Sequence, residues 1–329
     1  MKSLSNRKPV YFIVGPTAAG KSAVALALAK KVRGEIISAD SMQIYRGMTI
    51  GTGKPSKAER RRIRHHLIDI LPPAREFSAH AFRVRALKAL REIVRRGRTP
   101  IVAGGTGLYV RALLEGLAPP LGKVSSLRKR LRAEARRDGL AALYAELRRA
   151  DPAYAQKISP TDERRIVRGL EILRASGKCP SEWFRTKTSL DALGYAPKVF
   201  GLHLDRPVLY ARIDRRVAGM FRRGLVREVS RLLRTRISKT ARQALGYKEL
   251  TEVLKEPRLT AGVRKEKIRA AMELVQKNTR HYAKRQITWF KKEPGLVWID
   301  GARESSARAL ADAILARSEP SAKGTSDAG

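Results

Sequence analysis

The 329-residue chain is short of cysteine, of acidic residues and of long apolar runs, and each shortage closes off a class of protein. One cysteine, Cys179, excludes an internal disulfide and a cysteine-based zinc finger, and suits a reducing cytosol. No stretch approaches the ~20 apolar residues of a membrane span, so no membrane partner is expected. Residues 1–8 are basic, and the apolar run after them is too short for a signal peptide, which suggests a cytoplasmic protein. Acids are outnumbered: 30 Asp and Glu face 70 Lys and Arg, a formal net charge of +40. A surface so biased attracts polyanions, nucleic acid ahead of any anionic membrane. A hydrophobic fraction of 43% marks a folded chain, long enough to bury a sizeable core.

What is present concentrates at Gly15-Pro16-Thr17-Ala18-Ala19-Gly20-Lys21-Ser22. This stretch satisfies G-x-x-x-x-G-K-[ST] between a β-rich run at 10–14 and a helix-forming run at 23–29. Small residues let successive backbone N–H groups turn inward around an anion, at the positive end of the helix that follows. In such loops the lysine, here Lys21, reaches the terminal phosphates, and the hydroxyl, here Ser22, ligates Mg²⁺. The loop alone does not say which phosphorylated molecule it holds: a nucleoside triphosphate is the default, and a pyrophosphate ester fits equally well.

Apolar strand signals at 35–38, 66–70, 100–103, 198–204 and 295–299 alternate with helical spacing over 82–96, 108–117, 208–223, 225–234 and 264–287. The alternation predicts an α/β fold built on a parallel sheet covered on both faces. Ligand sites then gather at the carboxyl ends of the strands, where Ser22, Asp40 and Thr106 fall. Pro119-Pro120 breaks the pattern, and the text stays helical to about residue 189. The expected organisation is a first core segment at 1–119, a helical insertion at 120–197, and a second core segment with basic C-terminal helices at 198–318. Residues 319–329, rich in Ser, Gly and Lys, read as a disordered tail. The 264–287 helix pairs an apolar stripe (Ile268, Met272, Val275, Tyr282) with a basic one (Lys277, Arg280, His281, Lys284). It runs into a block from Tyr282 to Lys292 whose aromatic, amide and cationic groups suit stacked bases and phosphates. Trp289 and Phe290 are open to core packing as well.

Several segments, taken in order from about residue 10 to 290, resemble the tRNA dimethylallyltransferase family closely. They are the phosphate loop, Ile37-Ser-Ala-Asp40-Ser-Met-Gln43, Gly51-Thr-Gly-Lys54-Pro55, His65-His-Leu-Ile-Asp69, Gly104-Gly-Thr106-Gly, Asp162-Glu-Arg-Arg165-Ile-Val-Arg168, Ala244-Leu-Gly-Tyr247-Lys248 and Tyr282 to Phe290. The resemblance implies a P-loop-type core with a small helical insertion, dimethylallyl diphosphate as donor, and the tRNA adenine just 3′ of the anticodon as acceptor. It implies that Asp40 is the general base, that Thr106 helps to position the acceptor and that Arg216 grips the diphosphate. Contact with tRNA is implied for Asp40, Ser41, Met42, Gln43 and Thr106, and in the insertion for Arg128, Arg164, Arg165, Ile166, Val167 and Arg168. The same holds for Gln243, Ala244, Leu245, Gly246, Tyr247 and Lys248, and for Lys284, Arg285, Gln286, Ile287, Thr288, Trp289, Phe290 and Lys291. The chain departs from the family pattern where Ser22 replaces a common Thr, Gly53 a common Ala and Pro72 a frequent Asp. No Cys/His cluster follows Trp289, so the zinc finger of eukaryotic members is absent and a bacterial form is implied.

The chemistry suits these residues. An exocyclic adenine amine is a poor nucleophile, so a carboxylate must take its proton as the C–N bond forms. An allylic diphosphate ionises once its leaving charge is stabilised, here by Lys21, the loop N–H groups, Mg²⁺ on Ser22, and Arg216. The base must leave its stack to reach the donor, and Gln43 can read an adenine edge. From local sequence alone, Asp40 and Thr106 are equally open as caps at strand-to-helix turns. Two other readings stay open: a P-loop small-molecule kinase or ATPase with Asp69 as its acidic Mg²⁺ ligand, and a nucleic-acid-binding protein whose loop senses a nucleotide. Nothing calls for a partner subunit, so a monomer is expected.

Overall fold

The computed structural model describes residues 7–122, 124–256, 260–302 and 306–318; the tail expected at 319–329 lies outside the described residues. In chain order the elements are β1 (Lys8–Val14), α1 (Lys21–Lys31), β2 (Gly34–Ser38), α2 (Lys57–Arg62), β3 (His65–His66), α3 (Ala79–Arg95), β4 (Thr99–Gly104) and α4 (Gly107–Leu114). There follow α5 (Ser125–Arg137), α6 (Leu140–Ala150), α7 (Pro152–Ala155), α8 (Glu163–Ser176) and α9 (Pro180–Trp183). The rest are β5 (Tyr195–His203), α10 (Arg206–Arg222), α11 (Leu225–Leu233), α12 (Lys239–Arg242), α13 (Tyr247–Lys255), α14 (Ala261–Phe290), β6 (Val297–Asp300) and α15 (Ala307–Ala316).

The strands form one six-stranded sheet in the order β3-β2-β4-β1-β5-β6, and every neighbouring pair is parallel. The fold is therefore α/β with a parallel sheet, as its alternating pattern predicts. β1 explains why it sits centrally: Val10 to Val14 are all buried, and a run that is apolar on both faces is stable only between two layers. Tyr11 and Ile13 pack with Val24 and Leu28 of α1, Leu209 and Ile213 of α10, and Leu310 and Ile314 of α15. Val10, Phe12 and Val14 face the opposite side by the two-residue period of a strand. Each such aliphatic side chain removed from water contributes about 1.5–3 kcal/mol.

β3 is shorter than the expected 66–70 strand. Leu67 and Asp69 adopt φ values of 65° and 57°, which turn the chain out of extended pairing after His66. The chain divides into two compact units, one formed by residues up to Leu114 and from Gly194 onward, the other by Glu115–Leu193. The helical unit thus begins before the expected 120 and ends before 197, because β5 already starts at Tyr195. That unit has its own core of Leu131, Leu143, Leu147, Ile166 and Leu170, contributed by α5, α6 and α8. Cys179 lies within it as a half-buried free thiol whose Sγ donates to the Ala150 carbonyl at 3.3 Å. Among the described residues no helix is long and apolar enough to cross a membrane.

Candidate active site

Because the strands are parallel, the loops after β1, β2 and β4 open on the same end of the sheet. Gly15 leaves β1 at φ 132°, and a Cβ there would stand 2.8 Å from the Leu202 carbonyl of β5, so glycine alone lets the loop pass this close. α1 follows with Gly20 as N-cap, no side-chain cap and no acid in its first turn. Its first N–H groups are left to an outside acceptor, the arrangement an anion needs. Lys21 Nζ donates to the Pro16 carbonyl at 2.6 Å. Burial, then the nearby positive Arg216, pull the Lys21 ammonium down to about 7, with Asp40 partly offsetting them. Burial also lowers Arg216, again opposed by Asp40. Two cations crowded around one carboxylate await a further anion.

Asp40 follows β2. Its Oδ1 accepts from Met42 N–H at 2.8 Å and more weakly from Gln43 N–H at 3.4 Å. The capping role open to it in the sequence is real, yet it occupies Oδ1, and among the described residues no hydrogen bond uses Oδ2. Thr106, after β4, accepts from Ser41 N–H at 3.0 Å through Oγ1, tying the β4 loop to the Asp40 loop. The Gln43 amide is engaged: Oε1 accepts from the Ser38 hydroxyl at 2.9 Å, and Nε2 reaches the Thr52 and Gly53 carbonyls at 3.4 and 3.5 Å. Reading a base would mean exchanging those bonds.

A cavity of about 520 Å³ lies over the phosphate loop and is lined by Lys21, Ser22, Asp40, Arg212, Arg215 and Arg216 among others. A second, of about 300 Å³, is lined by the apolar Val217, Met220, Leu245 and Val275 together with the polar Ser41, Gln243 and Arg285. The two share Thr17, Asp40, Arg216 and Tyr282. Phosphate loop, carboxylate, guanidinium and one phenol therefore meet where the cavities join. Gly53 gives the guanidinium its room, since a Cβ there would collide with Arg216.

The structure sorts the residues expected at tRNA by exposure. Lys284, Arg285 and Thr288 of α14 are exposed, as are Lys291 just after it, Gln243 and Lys248. Gln286 and Phe290 are buried instead, because α14 turns residues 271, 275, 279, 283, 286 and 290 toward the protein, and Ala244, Gly246 and Tyr247 are buried as well. The buried stripe thus runs beside, not through, the expected Ile268, Met272 and Tyr282. Arg280 of the expected basic stripe pairs with Asp214 at 2.8 Å. Ile287 and Leu245 are half-buried, and Trp289 packs against Gly107 with Arg111 stacked 4.7 Å from its ring. Within the helical unit, Arg164 and Arg165 are exposed, whereas Ile166 and Val167 belong to its core. Arg128 and Arg168 both pair with buried Glu171. Burial alone would raise the Glu171 carboxyl, but the two arginine forks hold it below its ordinary value.

Two participants escaped the sequence reading of the site. Tyr282, placed there in an apolar stripe, is the phenol at the junction of the cavities. Burial first and the Asp40 charge second push its hydroxyl up to about 12, so it stays neutral. Glu228 of α11 is buried and accepts from the N–H groups of Thr49, Ile50 and Gly51 at 2.9–3.2 Å and from the Tyr247 hydroxyl at 2.5 Å. It shapes the loop whose Thr52 and Gly53 carbonyls hold Gln43. The signal was legible: an acid interrupts the apolar face made by Leu225, Val229 and Leu232.

The family model described as IPP transferase matches residues 43–293. A tRNA dimethylallyltransferase of Geobacter sulfurreducens is 43% identical over 297 residues, covering 90% of this chain and 93% of that protein. The crystal structure of a tRNA delta(2)-isopentenylpyrophosphate transferase from Staphylococcus epidermidis is 36% identical with a TM-score of 0.65, covering 94% of this chain and 99% of the other. A eukaryotic dimethylallyltransferase caught acting on tRNA is 30% identical with a TM-score of 0.77, covering 95% of this chain and 80% of the other.

Proposed function

The chain belongs to the IPP transferase family and, as an enzyme that transfers a dimethylallyl group to tRNA, we propose that it takes that group from dimethylallyl diphosphate and places it on N6 of the adenine 3′ of the anticodon. The observation that carries this reading is the junction of the two cavities at Thr17, Asp40, Arg216 and Tyr282. The larger cavity, with its cations and open helix N-terminus, takes the diphosphate. The smaller, lined by both apolar and polar side chains, takes the flipped base. At the junction the adenine nitrogen bonds to the allylic carbon, the carbon–oxygen bond to diphosphate breaks, and the amine proton passes to Asp40 Oδ2 and then to solvent. Lys21, the loop N–H groups and Arg216 stabilise the departing charge. Thr106 fixes the Asp40 loop through Ser41.

A divalent metal fits this donor set. Ser22 offers one hydroxyl in the lining of the larger cavity. That matches Mg²⁺, which takes one or two protein oxygens and completes its shell with phosphate and water. When bound, it would neutralise charge on the leaving diphosphate.

The kinase reading has Asp69 as its candidate acidic Mg²⁺ ligand. Asp69 is instead held by Lys54 at 2.6 Å and Arg60 at 2.7 Å. The decisive experiment incubates the protein with an unmodified anticodon stem-loop and labelled dimethylallyl diphosphate, without ATP. Label entering the RNA with release of diphosphate is expected. No label, or label only when ATP is present, would refute the assignment.

A further inference from the structure

The peptide group between Pro16 and Thr17 is bonded at both ends. Its carbonyl accepts from Lys21 Nζ at 2.6 Å, and its N–H donates to Gln286 Oε1 at 2.8 Å. A trans peptide points these two groups in opposite directions, so Lys21 and Gln286 grip it from opposite sides. The other end of the Gln286 amide is also committed, Nε2 donating to the Gly105 carbonyl at 2.8 Å. Gln286 is only 6% exposed, so water cannot replace either bond. Gly105 is part of the same fit, since a Cβ there would collide with the Gln286 amide. Meanwhile the exposed cations Lys284 and Arg285 of α14 lie on another side of the helix from Gln286.

We propose that Gln286 is a positioning residue for the donor's diphosphate and not an RNA contact: by fixing the Pro16–Thr17 peptide it sets where the Lys21 ammonium waits. One side chain of α14 thereby joins the loops after β1 and β4 into a single cradle. The inference rests on the reading of the phosphate loop as a diphosphate site. It goes beyond that reading by giving a buried amide 269 residues away in sequence from Thr17 control over the loop's lysine.

The test uses the full chain and two probes, inorganic diphosphate with Mg²⁺ and an unmodified anticodon stem-loop. Gln286→Met keeps the volume and removes both amide bonds. It should weaken diphosphate binding about tenfold or more while leaving stem-loop affinity within about twofold and its salt slope unchanged. In turnover, KM for the donor should rise more than kcat falls. Gly105→Ala strikes the same amide from the other end and should give the same pattern, and the double variant should be little worse than the worse single one. Without any substitution, the Thr17 amide hydrogen of the free protein should exchange slowly with solvent. An unprotected Thr17 amide would overturn the proposal. So would a Gln286→Met protein that loses stem-loop affinity as much as diphosphate affinity, which would return Gln286 to the RNA face. A wild-type protein that binds the stem-loop but no diphosphate would overturn the cradle itself, a result distinct from either of these.

Discussion

Replacing Asp40 with asparagine separates the two jobs that its carboxylate performs. Oδ1 caps the turn through Met42 and Gln43, and an asparagine oxygen can accept the same bonds. Folding stability should therefore change by less than ~0.5 kcal/mol, since Asn and Asp cap about equally well. The second oxygen becomes an amide that cannot accept the amine proton, and kcat should fall at least ~10²-fold, about 2.7 kcal/mol of transition-state stabilisation. Asp40 also supports the charge on Lys21. The asparagine variant should accordingly bind donor more weakly, and the comparison needs saturating donor. Asp40→Ala should show the same rate loss together with ~0.5–2 kcal/mol of lost stability from the missing cap. The assay is single-turnover transfer of labelled prenyl group to stem-loop RNA, with RNA affinity measured alongside. An asparagine variant that turns over within about threefold of wild type, roughly the scatter of such rates, would remove Asp40 from the role of base.

Lys21 gives a pH prediction. In the free protein it loses its charge above about 7, and a bound diphosphate restores it, so binding takes up a proton there. Donor affinity should fall by up to roughly tenfold per pH unit above that point and level off below it; calorimetry in two buffers would detect the proton, and no uptake would contradict the assignment. Replacing Lys284 and Arg285 together should flatten the salt dependence of stem-loop affinity by about one to two units of slope. An unchanged slope would place both on a merely solvated face. Glu228→Ala leaves three backbone N–H groups and the Tyr247 hydroxyl without their acceptor. Denaturant unfolding should register a loss of about 3 kcal/mol or more, and a loss below about 1 kcal/mol would show that the loop finds other partners.

The sheet and the phosphate loop were legible because their signals are local: five buried apolar residues in β1, then glycines where the chain must turn. Long helices with strong periodicity, such as α10 and α14, were legible for the same reason. Short α7 and α12 were not, since their signal is a single capping side chain, Asp151 or Ser238, in a few residues of text. Asp40 could be found by its motif, but that its Oδ1 caps the turn through Met42 and Gln43 needed the fold. Gln286 and Lys284 show the limit most clearly. Two residues apart in a block that reads uniformly as RNA-binding, they face the phosphate loop and the solvent respectively, because only the helix's docked face decides which side chain is buried. Tyr282 was read as part of an apolar stripe and of a base-stacking block, yet its place between two cavities depends on α10, α14 and the β1 loop meeting, which no local pattern records.

The most direct test of the mechanism is a structure of the protein with an unreactive dimethylallyl diphosphate analogue and an unmodified anticodon stem-loop. The mechanism predicts diphosphate oxygens on the N–H groups of the 15–22 loop and the adenine N6 within ~2.6–3.2 Å of Asp40 Oδ2, or one water away. A diphosphate seated elsewhere, or an amine beyond the reach of one water from Asp40, would contradict it.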